Sequence, residues 1–403
     1  MPPSPQDPDN PLAGLLGDLM KVIGGAPGQT LPWLEAARAL ASGVAADDGG
    51  EVGNVDPIAR IKLEELGRVV ELHVEGATGL TNPARSYTFV PVSRADWASR
   101  ALEGWRPLIQ SMVEVIEGPQ LGRDDQPQEG QDLQALLGKF ASAMGPVMLG
   151  LQFGSAAGHL ARQALGQYVL TVPWPQSHEV LVVPHNVATF ASDWSLDLDA
   201  SMLWVCAHEL TVQLVLDRPH IAEAMRELLA SVAVDTMAAQ QGLVERLGDA
   251  GEGTDSLASM LSDPEAILSD LLSPGTRTTS DRLSAVVAAL SAYVDHATGA
   301  IAEAVTGSPG PLSEAWYRYR ASESKGRQAV ATLLGFDVSA TQVDRGAAFV
   351  KGVLDRAGEE GLGRILQNAH NLPTPAELDA PGLWLARIDL PEEPIEPTQG
   401  GRG

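Results

Sequence analysis

The chain has 403 residues, 44% of them hydrophobic, enough for a substantial core in one large domain or two intimate ones. Its 52 acidic residues against 27 basic ones give a formal net charge of −25. A field of that sign repels phosphate backbones and anionic lipid, which excludes nucleic acid and membrane surfaces as partners and keeps the chain dispersed in water.

In chain order, residues 1–12 (MPPSPQDPDNPL) are Pro-rich and acidic and are expected to be a disordered tail, with no basic segment ahead of an apolar run as a secretory signal requires. GLLGDLMKVIGG and LPWLEAARALASGVA follow as two short amphipathic helices. Residues 56–77 have apolar side chains at helical spacing, with Asp56 as a cap before Pro57. Ser93 and Asp96 resemble a capping box that opens the next helix. Residues 118–132 form a polar linker and a possible sub-boundary of the domain. The uncharged stretch 140–158 approaches the ~20 residues that span a bilayer. Its Gly150, Gly154 and Gly158, with Pro146 and Gln152 inside, instead predict a core helix that another helix approaches closely.

YVLTVPW (168–174) and EVLVVP (179–184) read as two strands of a hairpin. DLDASMLWVCAHELTVQLVLD reads as one helix opened by Asp197 or Asp199, and Pro219 as the first turn of the next. Residues 249–264 are a connector with a weak helix, and DPEAILSDLL, residues 280–307 and residues 311–335 are further helices. No repeat period is visible. Residues 389–403 are expected to be a second disordered tail, leaving 13–388 as a single domain.

One constellation could carry chemistry. His208 and Glu209 sit together in an apolar helix, the first two letters of the zinc-peptidase pattern H-E-x-x-H. In that pattern two imidazoles one turn apart converge on zinc, and the glutamate activates the bound water. Here the position of the second imidazole is Val212. A catalytic zinc usually has three protein ligands, so further donors must come from elsewhere. His220, beyond the bend at Pro219, is one source; Glu223 and Glu227, or His178, Glu179 and His185, are others. His185, after Pro184, reads as a turn residue, and His73, His159, His296 and His370 as ordinary surface or capping histidines. Cys206, the one cysteine, excludes an internal disulfide and a Cys-rich zinc knuckle, suits a reducing compartment, and reads as a small buried hydrophobe. No phosphate loop, dinucleotide fingerprint, nucleophile elbow or EF-hand spacing is present.

The order of several segments resembles a known family. GDLMKVIGG, MLGLQFGSAAGHLARQALGQY, VVPHNVATFASDWSLDLDASMLWVCAHELTVQLV, VAVDT, ATLLGF and NLPTPAELDAPG follow one another as in zincin-like, zinc-dependent metalloproteases common in actinobacteria and described as hydrolases. The resemblance implies a mainly α (α+β) fold: a zincin-like helical domain with a small β-hairpin or sheet beside a motif helix at 200–216. It implies zinc as cofactor, His208 as a metal ligand, Glu209 as the catalytic residue, and a peptide or protein as substrate or partner; His220 is the further metal ligand offered by the residues themselves, and the single cysteine suits a cytoplasmic setting. Val212 departs from the family pattern. Two readings therefore stand: a zinc metallopeptidase, or a catalytically inactive pseudoprotease that has lost zinc and acts as a protein-binding or scaffold module.

Overall fold

A computed structural model of the chain describes residues 32–46, 56–80, 86–117, 132–249, 274–307 and 310–390. The tails apart from Asp389 and Leu390, the helix expected at GLLGDLMKVIGG, the linker after 117 and the segment with DPEAILSDLL lie outside them; Asp389 is held by an ion pair with Arg364. The fold is mainly helical with one two-stranded sheet. The chain divides into two compact units.

The first unit holds α1 (Pro32–Ala46), α3 (Arg94–Glu117) and α4 (Asp132–Ala161). Its packing follows from two stripes of small residues. On α4, a Cβ at Gly150 would fall 2.5 Å from the carbonyl oxygen of Trp33, and one at Gly154 would fall 2.4 Å from that of Ala37. A Cβ at Gly158 would meet Val44 and the Ala41 carbonyl at 2.6 and 2.8 Å. Contacts that climb both helices together mean that α1 and α4 run in the same direction. Ala37, Ala41 and Ala45 are buried on the facing side. The uncharged stretch is thus a close-packed helix, as its glycines predict, and Phe153, Ala157 and Leu160 are buried.

The second unit holds α2 (Pro57–Thr78), β1 (Thr88–Pro91), β2 (Glu179–Val182), α5 (Pro184–Asp193), α6 (Leu198–Leu216), α7 (Pro219–Asp249), α8 (Pro274–Thr306), α9 (Gly310–Ala321), α10 (Lys325–Leu333), α11 (Ala340–Gly363), α12 (Pro375–Asp379) and α13 (Pro381–Ile388). Two helix starts follow the sequence: the Asp56 side chain caps α2 by accepting from Ile58 N at 2.9 Å, and Asp197 caps α6 by accepting from Ala200 N at 2.8 Å. Pro219 opens α7. Residues 311–335 form two helices rather than one, because the Ser324 hydroxyl accepts from Arg327 N and starts a new helix.

The sheet is not a hairpin. β2 pairs in parallel with β1, with Thr88 opposite Glu179 and Pro91 opposite Val182. Residues 168–174 carry the β-rich composition but form no strand. The chain just before them takes the second edge of β2: Gln167 N donates to Leu181 O and Val183 N to Leu165 O. His185 sits in the first turn of α5 instead of a turn, because Pro184 pre-sets the first helical position.

At the centre lie α6, buried from Ser201 to Leu216, and α8. Among the described residues α8 alone is long and apolar enough to cross a bilayer, but 72% of its apolar window is buried by neighbouring helices, as in a core helix.

The glycine stripe gives a direct test. Gly154→Ala should lower stability by ~1–3 kcal/mol through overpacking against the α1 backbone. Gly43→Ala, where nothing lies within 4 Å of the added carbon, should instead be neutral or gain up to ~1 kcal/mol from helix propensity. Denaturant unfolding of both variants measures this; equal effects would refute the close approach.

Candidate functional site

A helix with apolar residues all round still carries a line of polar side chains. Glu209, Gln213 and Asp217 recur every four residues, so they share one face of α6 and its C-terminal cap. Buried polar atoms need partners, and the segment 165–168 supplies them. Tyr168 N donates to Glu209 Oε2 at 2.7 Å. The Tyr168 hydroxyl donates to Gln213 Oε1 at 2.8 Å, Gln213 Nε2 to Asp217 Oδ1 at 3.0 Å, and the Tyr87 hydroxyl to Asp217 Oδ2 at 2.8 Å. Burial first, then the charges of Asp217 and Glu209, hold the Tyr168 phenol well above its ordinary pKa, so it keeps the proton it donates to Gln213.

Gly166 is a glycine for want of space. A Cβ there would fall 2.4 Å from Cδ of Glu209 and 2.7 Å from its Oε1. The bare backbone forms the wall against which the carboxylate rests.

His208 Nδ1 lies 3.2 Å from Glu209 Oε1. Its Nε2 faces Oδ1 of Asp295, on α8, at 3.9 Å, and its ring packs against Trp316 of α9 with centroids 4.6 Å apart. The Trp316 indole donates to Asp295 Oδ1 at 2.9 Å, and the Arg320 guanidinium pairs with Oδ2 of the same carboxylate. Imidazole, indole, carboxylate and guanidinium therefore form one cluster spanning α6, α8 and α9. Arg327, beside it, donates to the carbonyls of Tyr319, Arg320 and Ser322, and burial lowers its pKa from the usual guanidinium value.

A small pocket of about 30 Å³ touches His208 and Glu209. Beyond Trp316 it gives onto a cleft of about 680 Å³, with Val169, Thr171, Trp316, Arg320 and Arg327 shared between the two.

The other candidates lie elsewhere. His220 is placed with Nε2 2.9 Å from the carbonyl of Leu366. Glu223 pairs with Arg226, and Glu179 is an exposed residue of β2. Cys206 is fully buried, and its thiol pKa is raised by burial and then by Glu209, so it behaves as an apolar filler. Asp295, Trp316, Arg320, Tyr168 and Gly166 escaped the motif search. The available signals were an aspartate inside the apolar α8 and the four-residue recurrence of polar side chains after Glu209.

The chain belongs to the zincin-like metallopeptidase family, whose profile matches residues 33–385. It is also similar in fold to the crystal structure of a "putative hydrolase with a novel fold" from Chloroflexus aurantiacus, at 20% identity and a TM-score of 0.62, over 88% of this chain and 98% of that one. No curated protein matches it.

The family implies zinc binding in general. The donor set here does not fit a zinc. The slot one turn after His208 holds the buried isopropyl of Val212. Both oxygens of Asp295 already accept hydrogen bonds, and Glu209 Oε2 is held by Tyr168 N. Among the described residues no three His, Cys, Asp or Glu side chains group as metal ligands.

A double-mutant cycle tests the Gly166 wall. Gly166→Ala should cost ~1–3 kcal/mol by steric clash with the carboxylate. In a Glu209→Ala background, where the space is vacated, the same change should cost clearly less. Equal costs in both backgrounds would show that the two residues do not touch.

Proposed function

We propose that this chain is a catalytically inactive member of its family, a binding module in which a hydrogen-bonded cluster occupies the place of the metal. One observation carries this reading: Nε2 of His208 looks onto a carboxylate whose oxygens are already taken by Trp316 and Arg320, while Val212 fills the position of the second imidazole. A carboxylate bound to a guanidinium is a weakened ligand, because metal and cation compete for the same lone pairs. Glu209 also lacks the freedom of a general base. Its two oxygens face His208 and the Tyr168 amide.

The family supports a peptide or protein as the molecule recognised. The cleft next to the cluster supports it too, since about 680 Å³ falls within the ~300–1,000 Å³ of ordinary ligand sites. The rival reading keeps His208 and His220 as zinc ligands and Glu209 as the base. It would require His220 to leave the Leu366 carbonyl and a third donor to arrive.

Metal analysis of protein purified without chelator separates the two. The expected result is zinc far below one atom per chain, unchanged in His208→Ala. That variant should still lose ~1–3 kcal/mol of stability, as Glu209 and Trp316 lose a buried partner. Stoichiometric zinc abolished by His208→Ala, with a peptidase activity lost in Glu209→Gln, would overturn the proposal.

A further inference from the structure

The large cleft has an apolar floor and an acidic rim. Trp204, Val287, Val343, Val350 and Leu354 supply the floor, from α6, α8 and α11. Five carboxylates line the walls (Asp295, Glu303, Asp337, Asp355 and Glu359) against three cations (Arg320, Arg327 and Lys351). Each of those cations already has a partner. Arg320 pairs with Asp295 and Lys351 with Asp355, while Arg327 is buried on three carbonyls. On the acidic side, Glu359 pairs with His296 at 2.9 Å and is itself exposed, and Glu303 is exposed at the end of α8.

We infer that this cleft docks a cationic amphipathic peptide segment of a partner protein, its aliphatic side chains on the floor and its Lys or Arg side chains on Glu303 and Glu359. The inference rests on reading the chain as a binding module and names the partner's chemistry. Charge complementarity selects the occupant. A second copy of this chain also carries −25 and is repelled. The chain's own residues 250–273 hold five acidic side chains and no Lys or Arg, so they are unsuited as an internal ligand. A basic segment gains from both the floor and the rim, as amphipathic helices do in apolar grooves. The backbone shape serves the rim: α11 breaks at Gly358 (φ 64, ψ −165), a conformation essentially reserved for glycine, and the next residue is Glu359.

The test is fluorescence anisotropy of full-length protein with three labelled peptides of one pattern, Leu-Lys, Leu-Glu and Ser-Lys, and with unlabelled spermidine as competitor. The Leu-Lys peptide should bind at least about tenfold tighter than the other two, and spermidine should displace it poorly. Ala347→Trp, which places an indole in the cleft from an exposed position, should weaken it about tenfold or more. The pair Glu303→Gln and Glu359→Gln should weaken it about three- to tenfold at low salt. Glu64→Gln with Glu65→Gln, on exposed positions of α2, removes the same charge elsewhere and should leave it unchanged. Circular dichroism melts confirm that each variant is folded. Equal binding of Leu-Lys and Ser-Lys, or equal losses in the α2 control, would reduce the effect to bulk charge and overturn the inference; so would indifference to Ala347→Trp. Zinc content reads out the other proposal separately. A metal-free chain that ignores the Leu-Lys peptide sinks only the cleft assignment, whereas a zinc-loaded chain that binds it sinks only the inactive reading.

Discussion

A carboxylate buried in an apolar helix sets the terms for the larger unit. Glu209 is 2% exposed, and a buried ionisable group without partners costs several kcal/mol. The protein meets that cost with backbone. The amide of Tyr168 donates to one oxygen, and Gly166 gives up its side chain so that the strand-edge segment can pass against the other. That segment is also fixed to β2 through Gln167 N and Val183 N. Glu209 thereby fastens α6 to the sheet, and the sheet in turn fastens β1, some ninety residues earlier in the chain. Removing the carboxylate would leave an amide and an imidazole unpaired at the same time.

The second attachment runs the other way around the helix. Through His208, α6 meets Trp316 and Asp295, and through Arg320 the cluster closes. A metal ion joins helices by drawing donors from each to one point. Here the joining is done by a guanidinium, a carboxylate and two aromatic rings. A buried ion pair holds only if its remaining donors and acceptors are satisfied. The Trp316 indole supplies that for Asp295, and the Ser291 carbonyl, 3.5 Å from the Arg320 guanidinium, does so for the cation. Both oxygens of Asp295 are thereby taken within the cluster.

Much of this was legible in the sequence because it is local. Caps at Asp56 and Asp197, the helix start at Pro219 and the glycine stripe on α4 depend on neighbours within a turn or two, and the chain announces them. His208 and Glu209 stood out because two polar residues interrupt a long apolar run. What stayed hidden depends on distant partners. The parallel pairing of β1 with β2 cannot be seen from alternation, and YVLTVPW has strand composition without a strand because the edge of β2 is taken by the residues just before it. The helix expected over 311–335 breaks because a serine hydroxyl caps a new start, a signal present but outweighed by the apolar spacing. Asp295, Trp316 and Arg320 carry no motif at all. Their meaning comes from the ring they face across three helices.

The same distant packing borders the cleft. At Gly346 of α11 a Cβ would fall 2.4 Å from the carbonyl of Ala288, so α8 and α11 touch backbone to backbone there. Farther along, Val350 and Leu354 line the cleft, and α11 breaks at Gly358. Of the floor residues, Trp204, Val287 and Val350 are buried, while Val343 and Leu354 are half-buried and present the apolar surface. Along its edge the carboxylates of Glu303 and Glu359 are exposed, so the field at the mouth is negative and favours a cation over an anion.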